Sequence, residues 1–140
     1  MTRRLAALAG ALFTASALLM ACDGSPDAPT DLGVCWRVDT SPSGAVSFQP
    51  LLRGAGNLES CAATLEGAAM KARQTSLTGA YQGQFVFITP DMVQSGTRLN
   101  GARYRLFDAA TRGKIDQQLR WKIDDERHPS EFGPKPASAP

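Results

Sequence analysis

Asn57-Leu58-Glu59-Ser60-Cys61-Ala62-Ala63-Thr64-Leu65-Glu66-Gly67-Ala68-Ala69-Met70-Lys71-Ala72 sets the fold of this chain. Leu58, Cys61, Ala62, Leu65, Ala68, Ala69 and Ala72 recur every three or four residues, the period of one helical face, and Asn57 is a good N-cap. The pattern predicts a packed helix over residues 57–74, with Cys61 on its inward face. The sequence on either side has a different period.

Upstream, Gly33-Val34-Cys35-Trp36-Arg37-Val38 and Ala45 to Leu51 flank the turn residues Ser41-Pro42-Ser43-Gly44, which predicts a hairpin. Downstream, Tyr81 to Thr89 contains Phe85-Val86-Phe87-Ile88, apolar on both sides of a pleat. That reads as a central strand with both faces covered. Thr89-Pro90-Asp91 looks like a cap with proline in the first turn, opening a short helix to Ser95. Asn100-Gly101 is a hairpin signal, followed by Ala102, Tyr104 and Leu106 alternating with Arg103 and Arg105. Over Ile115 to Asp125, Leu119, Trp121 and Ile123 alternate with polar neighbours and read as a last strand. Its Gln, Leu, Arg and Lys leave a helix as the alternative. The expected fold is α+β: a small, mainly antiparallel sheet of about five strands with one packed helix.

The N-terminus carries the most specific signal. Met1-Thr2-Arg3-Arg4 is basic, Leu5 to Met20 holds no ionisable residue, and Leu19-Met20-Ala21-Cys22 places a small residue just before a cysteine. The apolar run ends at Cys22-Asp23-Gly24, short of the about 20 residues that span a bilayer core. A plain secretory signal would fit the basic and apolar regions, with Cys22 incidental. Residue by residue, Met1 to Cys22 resembles the signal of bacterial membrane lipoproteins. The resemblance implies cleavage after Ala21, a diacylglycerol thioether on Cys22 and a domain held at a membrane of the cell envelope, in the periplasm or outside the cell. Each buried methylene contributes about 0.8 kcal/mol, so two or three chains hold where one barely does. Asp23 resembles the inner-membrane retention signal of enteric lipoproteins, a rule other lineages do not obey, so the membrane is left open. The resemblance stops at Cys22, and no domain family is recognised beyond it.

Cleavage changes the charge. Of 15 Lys+Arg, Arg3 and Arg4 would leave, giving 13 against 13 Asp+Glu, so the sequence pI near 8.6 belongs largely to the removed segment. A balanced chain has no net-charge attraction to nucleic acid. The expected organisation is a signal peptide at 1–21, lipidated Cys22 and a flexible tether at 22–31, one domain at 32–123, and a disordered tail at 124–140. With Cys22 assigned to lipid, Cys35 and Cys61 are the pair left to bridge outside the cytosol. Their bridge would staple the first strand to the helix and contribute about 3 kcal/mol. Two buried free thiols are the alternative.

No segment carries a catalytic motif. His128 stands beside Pro129 in the expected tail, where nothing would hold it against a serine. Two cysteines and one histidine fall short of a structural zinc site, so no metal or other cofactor is expected. Asp108, Asp116, Asp124, Asp125 and Glu126 have no calcium-loop spacing. Arg53-Gly54-Ala55-Gly56-Asn57 precedes a helix, as anion-binding loops do, but lacks the strand and acidic residue of a dinucleotide fingerprint. Trp36, Tyr81, Phe85, Phe87, Tyr104 and Trp121 are read as core material. If the last two strands are neighbours, Arg103, Arg105, Arg120 and Lys122 share one cationic sheet face, a possible binding face whose plain alternative is a solvated pleat.

The function expected from these residues is that of a non-catalytic interaction or assembly lipoprotein meeting an envelope protein, with the second sheet face around Val86 and Ile88 or Phe85 and Phe87 as the contact. A small-ligand or glycan binder would instead need a concave pocket with an exposed Trp and an arginine. An enzyme would need a buried, pKa-shifted carboxylate pair in a cleft.

Overall fold

The computed structural model describes residues 24–129. Cys22 and the signal segment, and residues 130–140 of the expected tail, lie outside the described residues. In chain order the elements are β1 (Val34–Thr40), β2 (Val46–Arg53), α1 (Leu58–Lys71), β3 (Leu77–Tyr81), β4 (Gln84–Ile88), β5 (Val93–Gly96), β6 (Tyr104–Arg105) and α2 (Ala109–Arg127). The strands form one antiparallel sheet in the order β2-β1-β3-β4-β5-β6, and α1 carries the chain from edge strand β2 across β1 to β3. The α+β class and the β1–β2 hairpin are as the sequence predicts.

Asn57 caps α1, its Oδ1 accepting from the Ser60 amide at 2.8 Å. The helix buries Cys61, Ala62, Leu65 and Ala69 against one sheet face, where Val86, Ile88 and Val93 meet them. Close approach depends on Gly79: a Cβ there would stand 2.3 and 2.6 Å from the Leu65 methyls and 2.7 Å from the Trp36 carbonyl oxygen. The Cys35–Cys61 disulfide is formed, with Cα atoms 5.3 Å apart and both residues fully buried.

The other sheet face is also covered. Phe85 and Phe87 pack with Val38, Ala80 and the half-buried Trp36, Val46, Phe48 and Leu99. The segment read as a tether contributes to this layer: Ala28 is buried in it, and the Pro29 carbonyl accepts from the Gly83 amide at 2.8 Å. Phe85-Val86-Phe87-Ile88 is thus apolar on both faces because both are interior. The expectation that one of these faces is an exposed contact is corrected.

Four local expectations are overturned. Ile115 to Asp125 is helical, inside α2, so the described residues hold six strands and two helices where about five strands and one helix were expected. The alternation of Leu119, Trp121 and Ile123 coincided with a four-residue stripe, Ile115, Leu119 and Ile123, which is the one that packs. Asp108 caps α2, its Oδ1 accepting from the Thr111 amide at 2.7 Å, and the helix runs to Arg127, past the expected domain boundary at 123. Thr89-Pro90-Asp91 starts no helix. The Thr89 hydroxyl accepts from the Met92 amide and donates to the Met92 carbonyl, closing a turn into β5, because a capping threonine can serve a turn equally well. The strand expected from Tyr81 is a hairpin of β3 and β4 about Gln82-Gly83, both at positive φ (44° and 81°), as a two-residue turn of this hand requires. Among the described residues, no helix is long and apolar enough to cross a membrane.

Candidate functional site

The four cations of the possible binding face do not come together. The Arg103 guanidinium lies 3.7 Å above the Phe87 ring and donates to the Leu99 carbonyl at 3.1 Å, so it roofs the second core layer. Arg105 pairs with Gln94 in β6, while Arg120 and Lys122 are on α2, which packs against α1. Misassigning 115–125 as a strand is what joined the two pairs. The glycine loop is also accounted for. The Gly54 and Ala55 amides both donate to the Gly33 carbonyl, at 2.8 and 2.9 Å, so the chain itself uses them.

Beside Arg103, a cleft of about 580 Å³ opens at one end of the sheet, lined by Gly24, Thr40, Ser76, Thr78, Phe87 and Thr89 among others. Its aromatic is the ring under Arg103; no tryptophan reaches it.

The sequence expected Trp121 and Tyr104 in the core, but they are 64% and 70% exposed. Trp121 lies off the Ile115–Leu119–Ile123 stripe on α2, next to Gln117, Gln118 and Lys122. Lys122 also borders a groove of about 340 Å³ between β2, α1 and α2, floored by Leu51, Ala68, Leu119 and Ile123. Leu51, at the groove, and its neighbour Leu52 on edge strand β2 are each 38% exposed. Reading 115–123 at helical rather than strand period would have placed Trp121 outside.

A buried charge cluster fixes α2. Glu66 on α1 is 2% exposed, and its Oε1 accepts from Arg112 Nη2 and Nε at 2.6 and 2.8 Å. Arg112 also donates to the Thr89 and Pro90 carbonyls, at 2.9 and 3.1 Å, tying α2 to the β4–β5 turn. Asp116 stands 4.0 Å from the Arg112 Nε. Burial pushes the Glu66 carboxyl above its ordinary 4.5, against the pull of Arg112, and the neighbouring Asp116 carboxyl adds to the rise. Glu66 Oε2 and Asp116 Oδ1 are buried without a hydrogen-bond partner. This is the kind of pair an enzyme would need, but Glu66, Arg112 and Asp116 line none of the clefts described, and what they do is join helix to helix.

The remaining acidic residues have structural positions. The Thr111 backbone amide and hydroxyl hold Asp108 below its usual range. Lys71 bonds Glu126 across from α1 and lowers it likewise. Asp124 lines a cavity between the helix ends, and His128 is the C-cap of α2. Among the described residues, no three His, Cys, Asp or Glu are grouped to hold a metal ion. No protein-family model matches the chain, and neither a curated protein nor a solved structure shows significant similarity to it.

Proposed function

We propose that this chain is a lipid-anchored lipoprotein of the bacterial envelope, acylated on Cys22, whose domain is a non-catalytic module that docks an envelope protein through the exposed face of α2 around Trp121. The observation that carries this reading is Trp121, 64% exposed on α2, where it lines a surface cleft with Gln117, Gln118 and Lys122. An exposed tryptophan is among the residues most enriched at interface hot spots, where most binding energy concentrates. Lys122 lines the same surface as Trp121, so the fitting partner presents an apolar side chain to the indole and a carboxylate to Lys122. The balanced charge expected after cleavage favours such local complementarity over attraction to nucleic acid. A small-ligand site would need tryptophan and arginine in one concavity; here Trp121 and Arg103 belong to different parts of the surface.

The test is purification of the native protein from gently solubilised membranes, comparing wild type, Trp121→Ala and Tyr104→Ala. Truncating a hot-spot tryptophan costs about 2 kcal/mol or more, roughly 30-fold in affinity. A stoichiometric companion lost with Trp121→Ala and kept with Tyr104→Ala supports the reading. A companion indifferent to Trp121, or none at all, sinks it.

A further inference from the structure

We propose that Arg73, Arg120 and Arg127 form a phosphate-binding site at the C-terminal ends of the two helices. Arg120 and Arg127 are two turns apart on one face of α2, and Arg73 follows the end of α1. All three line one cavity of about 410 Å³, together with Met70, Ile123 and Asp124. Among the described residues, no carboxylate lies within 4.0 Å of any of the three guanidiniums. Asp124 is the only acid in the lining, so three cations face one anion, and the excess matches the charge of a phosphate group.

The chemistry selects phosphate over carboxylate. A carboxylate has two oxygens and satisfies one guanidinium fork well, whereas a phosphate offers several oxygens to forks arriving from different directions. Met70 and the buried Ile123 give the site an apolar floor, which strengthens charge-assisted hydrogen bonds. The backbone contributes as well: Arg73 has φ 54°, the left-handed position after a helix where glycine is the least costly residue, and an arginine stands there instead. Arg73 and Arg127 sit at helix C-terminal ends, whose dipoles favour cations and oppose an anion, so the attraction for phosphate comes from the three guanidiniums alone.

The position of the site in the domain bears on the source of the phosphate. α1 ends at Lys71 and leads through Arg73 to Ser76, which shares the end-of-sheet cleft with Gly24, Ser25 and Pro26. The arginines therefore sit at the same end of the domain as Gly24, two residues after Cys22. A phospholipid headgroup and a free phosphate present the same chemistry to such a site.

The experiment uses the full chain carrying Cys22→Ser, which removes the acylation target, so its outcome depends on neither the lipid anchor nor the Trp121 surface. Inorganic phosphate is titrated at low ionic strength while the arginine side-chain NMR signals are followed. Binding to phosphatidylglycerol and phosphatidylcholine vesicles is measured by flotation. The expected result is saturable shifts of the three guanidinium signals, with affinity falling about tenfold or more in Arg120→Gln/Arg127→Gln while thermal stability is retained. Arginine-dependent flotation with phosphatidylglycerol alone identifies the headgroup as the source, and saturable phosphate binding without it identifies a soluble one; both support the site. Absence of binding in both arms, or binding unchanged in the double variant, overturns it.

Discussion

Replacing Arg112 with methionine should damage this fold more than any other single change at the surface of α2. The arginine is 15% exposed and its partner Glu66 2%, so the pair belongs with buried ion pairs rather than with surface pairs worth under about 1 kcal/mol. Methionine keeps the packing of the stem and removes two charge-assisted bonds to Glu66 and one to each of the Thr89 and Pro90 carbonyls. Stranding a buried charge in this way costs about 3–5 kcal/mol. At roughly 4–8 °C per kcal/mol for a domain near this size, the midpoint of thermal unfolding should fall by roughly 12 °C or more. Glu66 can limit the loss by taking up a proton. Its carboxyl already lies above 4.5 in the folded state, so its stabilising contribution is complete below 4.5 and is lost as pH rises through the raised value. Without Arg112 that value rises further, and the deficit of the variant against wild type should grow as pH is raised from 4.5 toward neutrality. Asp116→Asn should do the reverse, lowering the Glu66 value and leaving stability at neutral pH unchanged or improved, since a repelling neighbour is gone. Thermal melts of the three proteins across pH decide it. A fall of under about 2 °C for Arg112→Met, or a deficit that shrinks with rising pH, would refute the account of this cluster.

The disulfide should matter comparably: Cys35→Ala/Cys61→Ala is expected to lower unfolding free energy by about 3 kcal/mol, read from denaturant titration, and an unchanged midpoint would contradict the staple. Gly79→Ala should cost about 1–3 kcal/mol, because the Trp36 carbonyl oxygen, 2.7 Å from the new Cβ, is backbone and cannot swing aside; a neutral melt would show that α1 is seated differently. Trp121→Ala should leave the melt within about 1 °C of wild type while weakening partner binding, and a large loss of stability would mean the indole is structural. Lys71→Met should let the Glu126 carboxyl rise toward its ordinary value in an NMR titration. In wild type that group's contribution is present above 4.5 and lost as pH falls through its lowered value.

The legible part of the fold was the part whose period had one interpretation. Over 57–72 the apolar spacing fits a helix alone, and Asn57 and Cys61 confirm its start and inward face, so α1 and the disulfide to β1 could be placed. Residues 115–123 fit two periods at once, because positions 119 and 123 recur at both two and four. Strong helix formers and the cap at Asp108 were the deciding signals, and they outweigh a three-term alternation. β3 was missed because Leu77-Thr78-Gly79-Ala80-Tyr81 has little apolar bulk; Gly79 and Ala80 are small where α1 and the second-face core must approach. Its turn carries Gln82 where asparagine or glycine is the usual signal. These local errors spread to the candidate site. A strand at 115–125 put Arg120 and Lys122 beside Arg103 and drew Trp121 inward, whereas the helix exposes Trp121 and directs Arg120 toward Arg73 and Arg127.

The proposed role depends on the anchor before any partner is considered, and the anchor has a direct readout. Intact-mass analysis of the protein extracted from its native membrane should find a chain beginning at Cys22 and heavier by a diacylglycerol and an acyl chain, with Cys22→Ser abolishing the added mass. A mature chain that starts at another residue, or that carries no added hydrocarbon, would contradict the account.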